Sequence, residues 1–336
     1  MKKTNIAIAF AGGLAVGVGV KMLIRPRTVR WEQVYELVPH SDRSNFINVD
    51  GARIHYQEFG DRGFQTLVLI HGFTASLYVW HKVAPMLAEN GFHVIAVDLV
   101  GFGYSEKPRW FDYSIQSQAR MVSRFMNRLG IGRATLVGSS YGGAVAMTMG
   151  LDYPEYVEKL ILIDSVINDE VLRHPILRLA AIPGVGEVIT PFLVDSRAML
   201  RHRMKKTLSR SNRHLISRSR IDNVRRPLSA ADAHHSVLAT SRAWDANRIE
   251  QDAHLISQPT LIIWGEEDQV VGIHNGYKLH DSILHSRFVV LKNCGHVPAE
   301  EKSELVAELV TEFCRDRKGR LADRERDDIA IQPIVA

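Results

Sequence analysis

Residues 134–147, ATLVGSSYGGAVAM, contain the pattern that decides the fold. The first four residues are apolar or β-branched and predict a buried strand. Next comes Gly138-Ser139-Ser140-Tyr141-Gly142, which fits G-x-S-x-G, and a run of helical composition follows. A serine between a strand and a helix lies on a sharp turn that exposes its hydroxyl, and the glycines Gly138 and Gly142 leave room for that turn. The stretch therefore predicts Ser140 as a nucleophile in a strand–turn–helix unit.

The sequence around this unit predicts a mostly parallel sheet flanked by helices. Nearly continuous apolar runs, separated by stretches long enough for helices, are typical of buried parallel strands. An alternating pattern on either side of Asp50-Gly51 predicts a hairpin that precedes them. The expected parallel strands are residues 66–70, 93–97, 134–137, 160–163, 260–264 and 286–291. Strands that alternate with helices in this way assign the chain to the α/β class.

Two residues in the second half of the chain are candidates for activating Ser140. Serine is a weak nucleophile and needs a base. His296 follows the last predicted parallel strand, in a loop expected at the carboxyl edge of the sheet, and is the candidate base. Asp268 follows the preceding strand and is the candidate acid that holds the histidine tautomer. The alternatives for the acid are Glu266, Glu267 and Asp164.

Two backbone N–H groups are candidates for stabilising the oxyanion that forms when a serine attacks a carbonyl. One belongs to Tyr141, the residue after the nucleophile. The other belongs to Phe73 in His71-Gly72-Phe73, which follows the first long strand. We expect His71 and Gly72 to have a structural role there, because Gly72 gives the backbone room to turn.

Together these motifs resemble the α/β-hydrolase superfamily over residues 46–314. The resemblance rests on His71-Gly72-Phe73, on the turn Asp98–Ser105, on the stretch around Ser140, on Gly265–Asp268 and on Gly295-His296. It implies the chain order Ser, Asp, His for the triad and a structural role for the Asp98–Ser105 turn. Bacterial esterases and lipases with helical lids, and the related carbon–carbon bond hydrolases, are the most similar members. Haloalkane dehalogenases and epoxide hydrolases carry Asp in place of Ser140, which argues against both chemistries.

The chain divides into six segments by composition. Residues 46–164 and 251–314 are the two parts of the hydrolase core. Residues 165–250 form a gap much longer than the usual connection of about 4–6 residues, so we expect a helical lid there. Residues 1–28 are expected to be a membrane anchor with a basic flank, 29–45 a polar linker, and 315–336 a charged, disordered tail.

The N-terminal segment is the basis of the membrane prediction. From Ile6 to Ile24 the only charge is Lys21, and about 20 apolar residues suffice to cross a bilayer. A cleaved signal peptide and a soluble helix are the alternatives, although no A-x-A-like cleavage site follows. A single span predicts a membrane-anchored protein. Counting positive charges on each side favours a cytoplasmic catalytic domain but leaves the side open.

The expected lid combines an apolar stretch with a basic one. Ile182, Val188, Ile189 and Phe192 are expected to line an acyl pocket. Residues 197–226 contain 11 Lys or Arg and one acid. Such a basic face would meet water or, alternatively, anionic lipid. No recognised nucleic-acid-binding motif accompanies the charge, which argues against nucleic acid as a partner.

The composition is that of an ordinary globular enzyme, with 336 residues, 46% of them apolar and 24% charged. Two cysteines make no disulfide framework, and no metal-binding spacing occurs, so neither metal nor cofactor is expected. The predicted function is hydrolysis of carboxylic esters with a fairly apolar acyl group. A carbon–carbon bond hydrolase with the same triad is the alternative, and a non-catalytic binding protein is a third. Acyl length, leaving group and oligomeric state stay open.

Overall fold

The computed structural model describes residues 27–173, 178–179, 181–316 and 328–332. Within them, nine strands form one sheet with the spatial order β1-β2-β4-β3-β5-β6-β7-β8-β9. The strands are β1 (Ser44–Val49), β2 (Ala52–Phe59), β3 (Thr66–Ile70), β4 (His93–Val97), β5 (Ala134–Ser139), β6 (Val157–Ile163), β7 (Thr260–Gly265), β8 (Ser286–Leu291) and β9 (Ile329–Gln332). Strands β3 to β8 pair in parallel, whereas β1, β2 and β9 are antiparallel to their neighbours. The predicted mostly parallel sheet is confirmed.

Helices cover both faces of this sheet. On β3, Leu67 and Leu69 pack into one apolar core, and Val68 and Ile70 pack into the other. This follows from the period of two along a strand, since successive side chains point to opposite faces. The helices are α1 (Val83–Glu89), α2 (Ile115–Arg128), α3 (Tyr141–Asp152), α4 (Val185–Asp195), α5 (Arg197–Thr207), α6 (Arg218–Arg225), α7 (Ala231–Arg242), α8 (Asn247–Asp252), α9 (His274–Ser282), α10 (Pro298–Glu301) and α11 (Ser303–Arg315).

The long connection between β6 and β7 contains helices α4 to α8, and we call residues 164–259 the insert. Val194, Val237 and Trp244 of the insert join the larger core of the domain. Leu200, Met204 and Ile221 form a small apolar cluster of their own. The insert is therefore packed against the sheet domain. Its action as a lid stays a prediction.

Helix α4 corrects the prediction of an acyl pocket lined by the apolar stretch of the insert. Ile182, Val188 and Phe192 are 48%, 50% and 41% exposed, so these three side chains point to solvent, whereas Ile189 is half-buried. The buried side of α4 carries Thr190 and Val194, which are four residues apart and thus on one helix face. Helical spacing in a sequence identifies an apolar face, but it does not show that this face is the one that becomes buried.

Several basic residues of the insert are paired internally. Arg197 and Arg218 both pair with Asp222, the one acid of residues 197–226. Arg225 pairs with Asp195, at 2.7 Å between nitrogen and oxygen. The predicted basic face is therefore partly neutralised by the protein itself.

The predicted polar linker, residues 29–45, packs on the domain. Its Trp31 ring lies 5.3 Å from the Phe46 ring and 4.9 Å from the His55 ring, measured between centroids. Just before it, Arg27 of the predicted basic flank pairs with Asp232 at the beginning of α7, and the Arg27 carbonyl accepts from the Asp232 N–H. This segment thus connects the hairpin edge of the sheet to the insert.

The prediction of a single membrane span is corrected. No helix within the described residues is long and apolar enough to cross a bilayer. The longest of these helices, α2, has 14 residues and extends about 21 Å, less than the ~30 Å of a hydrocarbon core. The predicted span itself, from Ile6 to Ile24, lies outside the described residues. The membrane-anchored localisation is withdrawn with it.

The prediction of a disordered tail over residues 315–336 is also wrong in part. Ile329–Gln332 form β9, which pairs antiparallel with β8 and completes one edge of the sheet. Ile329 is buried there. The dense charge that precedes this short strand hid its alternating pattern.

Candidate active site

Ser140 lies on a strained turn between β5 and α3. Its backbone has φ 54° and ψ −117°, a conformation that L-residues rarely adopt and that is typical of functional sites. Neighbouring backbone holds it in place, because the Ser140 N–H donates to the Ile163 carbonyl at 2.9 Å and the Val166 N–H donates to the Ser140 carbonyl at 3.1 Å. A Cβ at Gly142 would collide with the Ile70 carbonyl, which explains the glycine at this position. A Cβ at Gly138 would likewise collide with the Gly142 carbonyl.

The structure brings Ser140, His296 and Asp268 together. The Ser140 Oγ lies 3.0 Å from the His296 Nε2. The His296 Nδ1 lies 2.8 Å from the Asp268 Oδ2. A carboxylate only accepts, so Nδ1 carries the proton and Nε2 is free to accept the serine proton. This is the geometry that a serine nucleophile, its base and an orienting acid require.

Backbone N–H groups of its own loop hold the Asp268 carboxylate in place. Its Oδ1 accepts hydrogen bonds from the N–H of Val270 at 2.7 Å and of Val271 at 3.1 Å. The Asp268 side chain is fully buried and that of His296 is 9% exposed. Of the two alternatives in this loop, Glu267 accepts instead from the Arg210 N–H, and the side chain of Glu266 is exposed.

Asp164, the third alternative acid, lies in the same cluster. A carboxylate oxygen of Asp164, a carboxylate oxygen of Asp268 and a ring nitrogen of His296 all lie within 4.8 Å of one another. The Asp164 Oδ1 accepts from the Gly265 N–H at 2.8 Å, while Oδ2 is buried without a hydrogen-bond partner among the described residues. Burial, and then the negative charge of Asp268, raise the pKa of Asp164 well above its usual value. Asp164 is therefore a poor candidate for the ionised acid, and Asp268 is the better one.

The two predicted oxyanion donors flank Ser140. Gly72 approaches so closely that a Cβ there would lie 3.1 Å from the Ser140 Cβ, which places Phe73 next to the nucleophile. Tyr141 begins α3, so its N–H belongs to the unpaired first turn of a helix. Neither the Phe73 N–H nor the Tyr141 N–H donates to another residue in the described part of the chain. Both are available to an oxygen of a substrate.

The buried His71 side chain stabilises the loop that contains Gly72 and Phe73. Its Nδ1 lies 2.8 Å from the Gly72 carbonyl, and its Nε2 accepts from the Leu99 N–H at 3.1 Å. Complete burial lowers the pKa of His71, which favours the neutral ring that this pair of contacts requires. His71 thus shapes the turn that presents Phe73.

Trp244 is a residue of the site that sequence reasoning did not find. Its ring lies 5.0 Å from the Tyr141 ring and 5.5 Å from the Phe73 ring, between centroids. It is 8% exposed and comes from the insert, just after α7. Nothing in its local sequence marks it, because the contact is made across the fold.

Comparison with known proteins identifies the family. The profile of the α/β hydrolase fold family matches residues 65–303. An uncharacterized hydrolase, YugF of Bacillus subtilis, is 31% identical over 271 residues, which cover 80% of this chain and 97% of that protein. The chain therefore belongs to the α/β hydrolase fold family and is a hydrolase.

Two further similar proteins have names that point to different substrates. A 2-hydroxy-6-oxononadienedioate/2-hydroxy-6-oxononatrienedioate hydrolase of Burkholderia vietnamiensis is 28% identical and covers 82% of this chain and 96% of its own length. The crystal structure of a membrane phospholipase A is 26% identical with a TM-score of 0.70, and the match covers 96% of this chain and all of that one.

The triad predicts which substitutions lower catalytic activity and by how much. Ser140→Ala and His296→Ala should each lower kcat by roughly 10⁴-fold or more, and the double variant should be little worse, because triad members act as a unit. Asp268→Asn should also be severe, since it permits the wrong histidine tautomer. Steady-state kinetics on folded variants, checked by circular dichroism, measure this. Near-native turnover by Ser140→Ala would remove Ser140 as the nucleophile.

The raised pKa of Asp164 predicts that this residue affects the pH dependence of stability rather than catalysis. A raised pKa in the folded state means that ionisation of Asp164 opposes folding, so the wild type loses stability as pH rises above about 4 towards the folded pKa. The amide in Asp164→Asn does not ionise and still accepts from the Gly265 N–H. The Tm of this variant minus that of the wild type should therefore grow between pH 4 and pH 8, with activity largely kept. A difference that shrinks with pH, or a loss of activity as large as that of Asp268→Asn, would make Asp164 an ionised acid of the site.

Proposed function

We propose that this hydrolase cleaves carboxylic esters with a fairly apolar acyl group, through an acyl-enzyme on Ser140. The observation that carries the proposal is the hydrogen-bonded chain from Ser140 through His296 to Asp268, set beside the N–H groups of Phe73 and Tyr141, which bind no other described residue. The rings of Phe73, Tyr141 and Trp244 pack on one another beside this centre.

The geometry supports a two-step reaction. His296 Nε2 takes the proton of Ser140 as the Oγ attacks the ester carbonyl, and the N–H groups of Phe73 and Tyr141 stabilise the oxyanion. As the C–O bond breaks, His296 returns the proton to the leaving alcohol. Water, activated by the same nitrogen, then releases the acid and restores Ser140. Asp268 stays ionised and stabilises the imidazolium in both steps.

The surroundings of Ser140 support an apolar acyl group. The ring of Phe73 packs edge to face against Phe102 and against Trp244, and Tyr141 is completely buried beside them. Phe73 is the half-buried ring of this group and the one that can offer apolar area to an acyl chain. The phospholipase with the similar structure acts on acyl esters by its name, which agrees with this proposal.

A second candidate is hydrolysis of a carbon–carbon bond next to a ketone, as in the Burkholderia relative. Arg203 on α5 favours it. This residue is one helical turn before Thr207, the last residue of α5, whose carbonyl accepts from the His296 N–H. Loss of solvent around Arg203 lowers its pKa to about 10, although the side chain is partly exposed, and Arg203 has no acidic partner within the described residues. A carboxylate on a dienol substrate would provide one.

A substrate comparison separates the two candidates. Each buried methylene contributes about 0.8 kcal/mol, so two added carbons should raise kcat/KM for p-nitrophenyl esters up to about tenfold until the site is full. We therefore expect kcat/KM to be higher for medium-chain esters than for the acetate ester, and higher than for a vinylogous ring-cleavage diketone. Arg203→Gln should leave kcat/KM for the neutral esters within about twofold.

The opposite outcome is equally specific. If the diketone won by tenfold or more in kcat/KM, and Arg203→Gln raised its KM while sparing esters, the protein would be a carbon–carbon bond hydrolase. The triad and fold would be unaffected by that result.

A further inference from the structure

Residues 207–212 of the insert lie directly against the loop that carries the catalytic histidine. We call these residues the strut and residues 293–297 the histidine loop. The Thr207 carbonyl accepts from the His296 N–H at 2.7 Å. The Asn212 Nδ2 donates to the Asn293 carbonyl at 3.0 Å. A Cβ on Gly295 would lie 2.7 Å from the Ser209 nitrogen, so the two backbones touch where that glycine stands.

Glu301, at the end of α10, bridges the strut and the histidine loop with one carboxylate. Its Oε1 accepts from the Gly295 N–H at 3.0 Å and from the Val297 N–H at 3.4 Å. Its Oε2 accepts from the Ser209 N–H at 2.9 Å and from the Asn212 Nδ2 at 3.0 Å. Hydrogen bonds to an ionised acceptor are roughly twice as strong as neutral ones. Each oxygen thus serves a different segment of the chain.

The neighbouring residue strengthens the same junction. The Glu300 carboxylate receives two hydrogen bonds from the Arg220 guanidinium, at 2.7 and 2.9 Å. Both side chains are 8% exposed, so this bidentate pair is shielded from water and salt. It ties α6 of the insert to α10, one residue away from Glu301.

We propose that Glu301 is a positioning residue, which couples the insert to catalysis by holding the backbone on both sides of His296. Three successive N–H groups, those of Gly295, His296 and Val297, are bound by Glu301 or by the strut. They fix the backbone from which the imidazole reaches Asp268 and Ser140, two contacts of 2.8 and 3.0 Å. A displacement of about 1 Å in such a group can cost a hundredfold in rate. The inference rests on the proposed function for its substrate only, since any reaction of Ser140 requires the same alignment.

Glu301→Gln tests the proposal, because an amide keeps the size of the side chain but has one accepting oxygen in place of two. We expect kcat for a p-nitrophenyl ester to fall about tenfold or more, with KM within about twofold, because Glu301 does not touch the substrate. The rate constant for phosphonylation by a fluorophosphonate should fall by a similar factor. Both are measured well below the Tm of the variant, so that loss of folded protein does not contribute.

Glu304→Gln is the matched control. Glu304 lies in the first turn of α11, is exposed, and accepts a hydrogen bond from the Ser303 hydroxyl, so the same loss of charge should change kcat less than twofold. Asn212→Ala removes both hydrogen bonds that its Nδ2 donates, to Glu301 and to the Asn293 carbonyl, and leaves the Glu301 carboxylate on the histidine loop. It should lower kcat about threefold with KM unchanged, and it tests the coupling if Glu301→Gln does not fold.

Two results would overturn the inference. One is a Glu301→Gln variant that melts earlier but keeps wild-type kcat and phosphonylation rate when folded. The other is unchanged kinetics in Asn212→Ala. A wild type that fluorophosphonates label but that cleaves no ester would refute the ester proposal alone, and the phosphonylation rates would still decide the role of Glu301.

Discussion

The close meeting of three backbones at Ser140 is the constraint on which the rest of the site depends. The serine is held at φ 54° because the end of β6 supplies an acceptor for its N–H and Val166, just after β6, supplies a donor for its carbonyl. The loop after β3 comes so near that only glycine fits at residue 72 without displacing the serine. Parallel pairing of β3, β5 and β6 brings these segments to one edge. β7 and β8 then deliver the acid and the base to the same edge.

The insert contributes to this centre in two unlike ways. Trp244 extends the aromatic wall over Tyr141 and Phe73, and the strut binds the histidine loop. At the other end, the outer face of α4 exposes Val188 and Phe192 to solvent. The end of the insert that binds the histidine loop is thus built into the catalytic site.

The sequence predicted the structure correctly where a local pattern of residues determines the local conformation. Apolar runs gave the parallel strands, and the glycines around Ser140 marked a turn that larger side chains would prevent. It failed where the outcome depends on contacts between distant segments. The direction in which α4 faces, the docking of Trp31 and the pairing of β9 are examples. The role that we propose for Glu301 leaves no pattern either, because its partners are mainly backbone N–H groups and any residue supplies those.

Mapping the site of covalent labelling tests the central claim, that Ser140 is activated by His296 and Asp268, most directly. Native protein is treated with a fluorophosphonate, digested, and examined by peptide mass spectrometry. The account predicts one phosphonyl group per chain, on Ser140, and no labelling of His296→Ala on the same time scale. Modification of a different serine, or equal labelling of Ser140 without His296, would contradict it.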